Sequence, residues 1–296
     1  DGLGNNYIDA YKTYRSSATG GGYEAIIAEI NDLYNEFAYG YTYHPLAIRN
    51  LLHYAMNNSA WVNKPRFLFI IGKGINYTDY PTYQSGSAGS FPYPIIPSFG
   101  DPCSDNLLSD FTYQSKPQIP TGRLTVWNGA EVKTYLDKIK DHESYTQFPV
   151  QVSDSVLWQK RVLHIAGAED LSQQAPIVAL LNSFQQTISD TLFGGQVSTI
   201  KKSTVSAVET ANSDEIDSLF KSGLALVQFF GHGSASTLDY NLDNPELMVN
   251  PKKYPLFIAN GCGVGNVFIL DVGLRSLGEK FVLSPVGGSI GFIACD

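Results

Sequence analysis

Two short motifs carry the residue types of nucleophilic catalysis. Gly231-His232-Gly233 follows the apolar run Leu224–Phe230, and Asn260-Gly261-Cys262-Gly263 follows Leu256–Ala259. Each run is short, apolar and bounded by Gly, Pro or Asn, the pattern of a buried strand. If the two strands are parallel neighbours, an imidazole and a thiol leave the sheet at the same edge. Open parallel sheets form their sites in the crevice outside the strands' carboxyl ends. An imidazolium beside a thiol favours the thiolate at neutral pH, and the thiolate is the nucleophile. The glycines allow unusual backbone angles and the close approach of a substrate chain. Taken singly, a cysteine after a strand is more often a small buried residue, and Gly-His-Gly more often a turn. Their conjunction points to a cysteine peptidase.

The elements that must position this pair read as alternating strands and helices. Strands are expected at Arg161–Ala166, Val197–Lys201, Leu224–Phe230, Leu256–Ala259 and Gly288–Ala294. Helical patterns fall at Ala175–Ser189, Asp214–Lys221 and Leu274–Leu283. Such alternation implies an α/β fold with a mostly parallel sheet and helices on both faces. Upstream, Pro45 opens an amphipathic helix through Ile48, Leu51, Leu52, Ala55 and Met56, followed by a short strand at Arg66–Gly72. Residues 72–110 are rich in Tyr, Pro, Gly and Ser and read as a long loop region. The polar stretch Tyr145–Ser155 is the best boundary between two α/β subdomains, 1–148 and 149–296, the second carrying both motifs.

The 296 residues are 43% hydrophobic and 16% charged, ordinary for a folded globular chain. A net charge of −8 without a Lys/Arg stripe argues against nucleic acid as a partner. No apolar run approaches the ~20 residues of a membrane-spanning helix. The three cysteines, Cys103, Cys262 and Cys295, cannot form a disulfide framework. The chain opens on Asp1-Gly2-Leu3-Gly4 without Met, which reads as a processed or trimmed fragment.

The segments Phe230-Gly231-His232-Gly233-Ser234 and Pro255-Leu256-Phe257-Ile258-Ala259-Asn260-Gly261-Cys262 resemble the catalytic signature of the gingipain family of cysteine peptidases, within the caspase-like clan. Ser276-Leu277-Gly278-Glu279, then Pro285-Val286-Gly287-Gly288-Ser289-Ile290, resembles the helix and strand that follow the family's cysteine. Ile119-Pro120-Thr121-Gly122-Arg123-Leu124, with a helix at Ala130–Glu143, resembles the end of its first subdomain. The resemblance implies a caspase-like three-layer sandwich of two side-by-side α/β subdomains. It also implies a strand at Tyr23–Ile30, where the residues alone equally fit a helical face from Ile26 to Phe37.

Carried onto this chain, the resemblance makes Cys262 the nucleophile of a peptide-bond hydrolase and His232 the residue that manages the proton. The backbone N–H groups of Gly233 and Cys262 become the oxyanion donors. Family members carry Asp or Glu just before the Ile-Gly-Arg-like segment, and here that place falls on Gln118. Glutamine accepts a hydrogen bond from imidazole but cannot stabilise imidazolium by charge; Asp101, Asp105 and Asp110 are the other acids within reach in sequence. The resemblance further implies an exported protein at the surface or outside of a Bacteroidetes-type bacterium, a protein or peptide substrate, and other domains in a longer native chain. No cofactor is required, though structural calcium is compatible with the family.

Within the chain, Asp239-Tyr240-Asn241-Leu242-Asp243-Asn244 matches the first three oxygen positions of a calcium loop but lacks its Gly and distal Glu, so Asp239, Asn241 and Asp243 are weak metal candidates. Gly72-Lys73-Gly74 lacks the full phosphate-loop pattern, Gly86-Ser87-Ala88-Gly89 is a broken serine-hydrolase motif, and His44, His53, His142 and His164 lack zinc spacing. Two alternatives stand beside the endopeptidase. One is a transpeptidase like the type IX secretion sortase, disfavoured by Gly263-Val264-Gly265-Asn266 after the cysteine. The other is an inactive binding or scaffold domain of the same fold, motivated by Gln118.

Overall fold

The computed structural model describes residues 4–80, 95–112, 114, 116–146, 154–203, 207–208, 210, 212–269 and 274–295. The chain divides into two compact units, one of Asp1–Lys133 with Val267–Val272, the other of Thr134–Asn266 with Gly273–Asp296.

In the first unit, three helices, α1 (Ile8–Ser16), α2 (Ile30–Phe37) and α3 (Leu46–Asn57), precede five short strands. These are β1 (Leu68–Ile71), β2 (Lys73–Asn76), β3 (Ile95–Gly100), β4 (Cys103–Ser104) and β5 (Thr121–Leu124). β1 pairs with β5 in parallel, and β2, β3 and β4 form a separate small sheet. The core gathers Leu33, Tyr34, Ile48, Leu52, Ile70, Leu108 and Ile119. The strand expected at Tyr23–Ile30 does not form: the helix α2 starts at Ile30, and the residues before it pair with no strand. The helical period of Ile30, Leu33, Tyr34 and Phe37 wins because it buries Leu33 and Tyr34 against α3. The expected loop at residues 72–110 contains β2, β3 and β4; the Gly86–Gly89 motif lies outside the described residues.

α4 (Gly129–Thr146) crosses the division between the units. The second unit then builds one five-stranded sheet from β6 (Arg161–Ala166), β7 (Gln196–Lys201), β8 (Leu226–Phe230), β9 (Leu256–Asn260) and β10 (Gly291–Ala294). Every pairing is parallel, in the order β10-β9-β8-β6-β7. The crossovers are α5 (Leu171–Ile188), α6 (Ser213–Ser222) and α7 (Leu277–Leu283), within one or a few residues of the helices read from sequence. Strands buried on both faces read as near-continuous apolar runs. One face of this sheet gives Leu163, Ile165, Val227, Phe229 and Phe257 to a cluster completed by Ile216, Phe220, Leu277 and Phe281 from α6 and α7. The side chains that alternate with these include buried His164 and Gln228, which face one another in register. Between β8 and β9 the chain uses no α-helix, only a loop with a single short turn of 3₁₀ helix at Pro245–Leu247. That loop carries the histidine.

Candidate active site

β8 and β9 are in register from Leu226↔Leu256 to Phe230↔Asn260. The Gly231 N–H donates to the Asn260 carbonyl at 3.1 Å, so the ladder runs one bond past the strands. His232 and Cys262 therefore leave the sheet at the same level, each two residues beyond the paired Phe230 and Asn260. Both side chains are exposed.

The histidine loop folds back on itself. Gly233 bridges Leu238 in antiparallel fashion, Ser234 N–H donates to Thr237 O at 2.9 Å, and Asp239 N–H donates to His232 O at 3.1 Å. The cysteine turn is a tight one: Asn266 N–H donates to Gly263 O at 3.1 Å, and Gly263 has φ +64, a conformation that glycine adopts without strain. The two segments interlock. A Cβ on Gly233 would collide with the Val264 side chain, so glycine there permits the close approach of loop and turn. The Ala235 carbonyl in turn accepts from Leu277 N–H at 2.7 Å, tying the loop to the start of α7. Ser276 and Glu279 close a capping box there, with Glu279 accepting from Ser276 N–H at 2.7 Å.

The imidazole has a partner that sequence reasoning missed. His232 Nε2 lies 3.1 Å from Oε1 of Gln173, in the first turn of α5. The same oxygen accepts from Glu169 N–H at 3.2 Å, and the helix start is fixed by Asp170, whose carboxylate accepts from Ser172 N–H at 2.7 Å and Gln173 N–H at 2.9 Å. With Oε1 an acceptor, Nε2 is the protonated nitrogen and Nδ1 is left to exchange protons. The sequence signal was the N-cap pattern Asp170-Leu171-Ser172-Gln173 directly after the first strand of this sheet, another carboxyl-end position. Gln118, expected in this role, belongs to the first unit, where its amide donates to Thr112 Oγ1 at 3.0 Å and Lys116 O at 2.9 Å. Asp105 is held there by Arg123 at 2.7 Å, Asp110 accepts from Thr112 and Gln114, and Asp101 is exposed.

The weak metal candidates point to different surroundings. Asp239 is 5% exposed, and its carboxylate lies against Gly167 and Gly231, with no hydrogen bond of good geometry to either oxygen among the described residues. Burial raises its pKa above the ordinary carboxylate value, opposed chiefly by the charge of Lys202. Asn241 is exposed. Burial also raises Asp243, against the charge of Lys280, whose ammonium donates to the Asp243 carbonyl at 3.3 Å. Among the described residues, no three His, Cys, Asp or Glu side chains converge as a metal would require. Among them too, no helix is long and apolar enough to cross a membrane.

A parallel sheet that presents a cysteine and a histidine on neighbouring strand ends is the architecture of a cysteine-peptidase fold. The chain belongs to peptidase family C25, whose pattern matches residues 5–296. Its fold is similar to that of the Arg-specific cysteine proteinase gingipain R (RgpB), with TM-score 0.66 and 14% identity over 97% of this chain and 59% of that one. It is similar also to the complex of Porphyromonas gingivalis RgpB pro- and mature domains, with TM-score 0.65 and 15% identity over 97% and 60%. A third structure, described as a protease, gives TM-score 0.66 and 18% identity over 98% and 57%. The chain thus spans about three-fifths of the length of each of these structures. No curated protein sequence matches it.

Proposed function

We propose that this chain carries the catalytic site of a cysteine endopeptidase, with Cys262 as nucleophile and His232 as acid and base. The observation that carries the reading is the β8–β9 register, which brings the two residues to one edge on interlocked segments. Attack of the Cys262 thiolate on a peptide carbonyl forms a tetrahedral oxyanion, stabilised by the N–H groups of Cys262 and Gly233. His232 then gives a proton from Nδ1 to the leaving amine, and the resulting thioester is hydrolysed by water with His232 as base. Gln173 holds the ring in this tautomer without adding charge. An exported protein with further domains accords with the family resemblance and with the shorter span of this chain.

The test is the alkylation rate of Cys262 against pH, followed by hydrolysis of a peptide library. Rapid labelling below pH 7 that slows in His232→Ala is the expected result, since an ordinary thiol has a pKa of about 8.5. Hydrolysis is expected to fall by at least about 10³-fold in Cys262→Ala. Labelling only above pH 8, with no library peptide cleaved, would move the assignment to a non-catalytic domain. Transfer of the acyl group to an added amine in preference to water would mark a transpeptidase.

A further inference from the structure

Of the two thiols that this chemistry leaves unused, Cys103 is buried in the first unit and Cys295 lies beside the cysteine turn. It directly follows β10, and its side chain is exposed. Its Sγ donates to the Gly261 carbonyl at 3.1 Å, while its own carbonyl accepts from Gly265 N–H at 2.8 Å. Cys295 therefore grips both ends of the turn that carries Cys262.

The sheet explains what the first of these contacts does. β9 lies between β8 and β10. The Asn260 carbonyl faces β8, where it accepts from Gly231 N–H. β9 ends at Asn260, and the next carbonyl, that of Gly261 in the bend, is turned to the residue that follows β10. What it meets there is the Cys295 thiol. The peptide bond that begins at the Gly261 carbonyl ends at the Cys262 N–H. A trans peptide is planar, with its C=O and N–H directed oppositely. Holding the carbonyl towards β10 thus turns the Cys262 N–H towards β8, the side from which Gly233 and His232 project.

We propose that Cys295 is a positioning residue for the oxyanion hole: its thiol fixes the plane of the Gly261–Cys262 peptide and so aims the Cys262 N–H at the developing oxyanion. The inference rests on the reading of Cys262 as the nucleophile. Loss of an oxyanion donor costs about 10²–10³-fold in rate. Loosening one by removing a weak S–H donor should cost less, about five- to tenfold.

Two reactions of Cys262 separate the possibilities. Acylation by p-nitrophenyl acetate passes through an oxyanion, whereas alkylation by iodoacetamide displaces iodide and forms none. Both rates are measured in the full chain by mass spectrometry of the peptide containing Cys262, in the parent, Cys295→Ala and Cys295→Ser. Acylation is expected to slow about five- to tenfold in Cys295→Ala, with alkylation within about twofold of the parent. Cys295→Ser, which keeps a donor, should recover most of the loss. Equal slowing of both reactions would make Cys295 a general support of the turn and overturn the proposal. So would acylation at the parental rate in Cys295→Ala. A parent chain that is readily alkylated but not acylated would instead sink the peptidase reading, and this inference with it.

Discussion

The edge of the five-stranded sheet and the ground beneath α7 treat polar side chains in opposite ways. At the edge, Cys262 and His232 are exposed, and the imidazole makes one side-chain hydrogen bond, to Gln173. Beneath α7, Lys138 is 3% exposed and donates to three carbonyls, Phe281 at 3.1 Å, Val282 at 2.9 Å and Ser289 at 3.2 Å. Tyr135, on the same helix, donates to Ile290 O at 3.2 Å. Lys138 and Tyr135 are committed to the main chain, whereas the groups of the edge keep bonding capacity for a substrate. Substitutions in the two regions should therefore separate, stability falling in one and activity in the other.

Lys138→Met gives the largest effect expected on this comparison. Phe281 and Val282 sit in the last turn of α7, where carbonyls have no partner within the helix. Removing the ammonium leaves the half-buried Val282 carbonyl without this donor, while the Phe281 carbonyl keeps the Ser289 N–H at 3.0 Å, so the cost is about 2 kcal/mol. Denaturant unfolding should register that loss, while the alkylation rate of Cys262 in the folded fraction stays at the parental value. A variant that unfolds normally but labels slowly would break the separation.

Gln173 tests the other region. Gln173→Ala frees the imidazole and should lower kcat/KM about tenfold with little change in melting temperature. Gln173→Glu sharpens the point, because a carboxylate at this distance stabilises imidazolium. The alkaline limb of the rate profile, where imidazolium is lost, should then move up by about one pH unit. An unmoved limb would mean that the Nε2 contact does not govern the proton.

These regions also differ in how far the sequence disclosed them. The second unit was legible because its inner strands β6, β8 and β9 are short apolar runs, set off by glycine and asparagine turns or by amphipathic helices. Cys262 and His232 were legible for the same reason: each follows such a run directly. Gln173 was not, since the N-cap pattern at Asp170 marks a helix start but does not tie it to His232 until β6 is known to stand beside β8. In the first unit the strands are short, three of them sit inside a stretch rich in Tyr, Pro and Gly, and the pairing of β1 with β5 joins residues more than fifty positions apart. Nothing local encodes such a pairing. The Tyr23–Phe37 segment shows the converse: its residues fitted a helical face from Ile26 to Phe37, and the resemblance instead put a strand at Tyr23–Ile30, which does not form.

Asp239 stands between the two regions, buried as Lys138 is, yet without the well-aligned main-chain hydrogen bonds that Lys138 makes among the described residues. Its pKa is raised by burial, so the folded chain holds the proton to higher pH than the unfolded chain does. Stability from this group is therefore highest below the ordinary carboxylate pKa of about 4, falls as pH rises towards the folded-state value, and stays low beyond it. Asp239→Asn keeps the shape and removes the charge. The variant should match the parent near pH 4 and exceed it by about 1 kcal/mol at neutral pH. Unfolding free energies at several pH values measure it. A variant less stable than the parent at neutral pH would show that the carboxylate is held by Lys202 strongly enough to repay its burial. Asp239 would then stand with the interior anchors and not between the two regions.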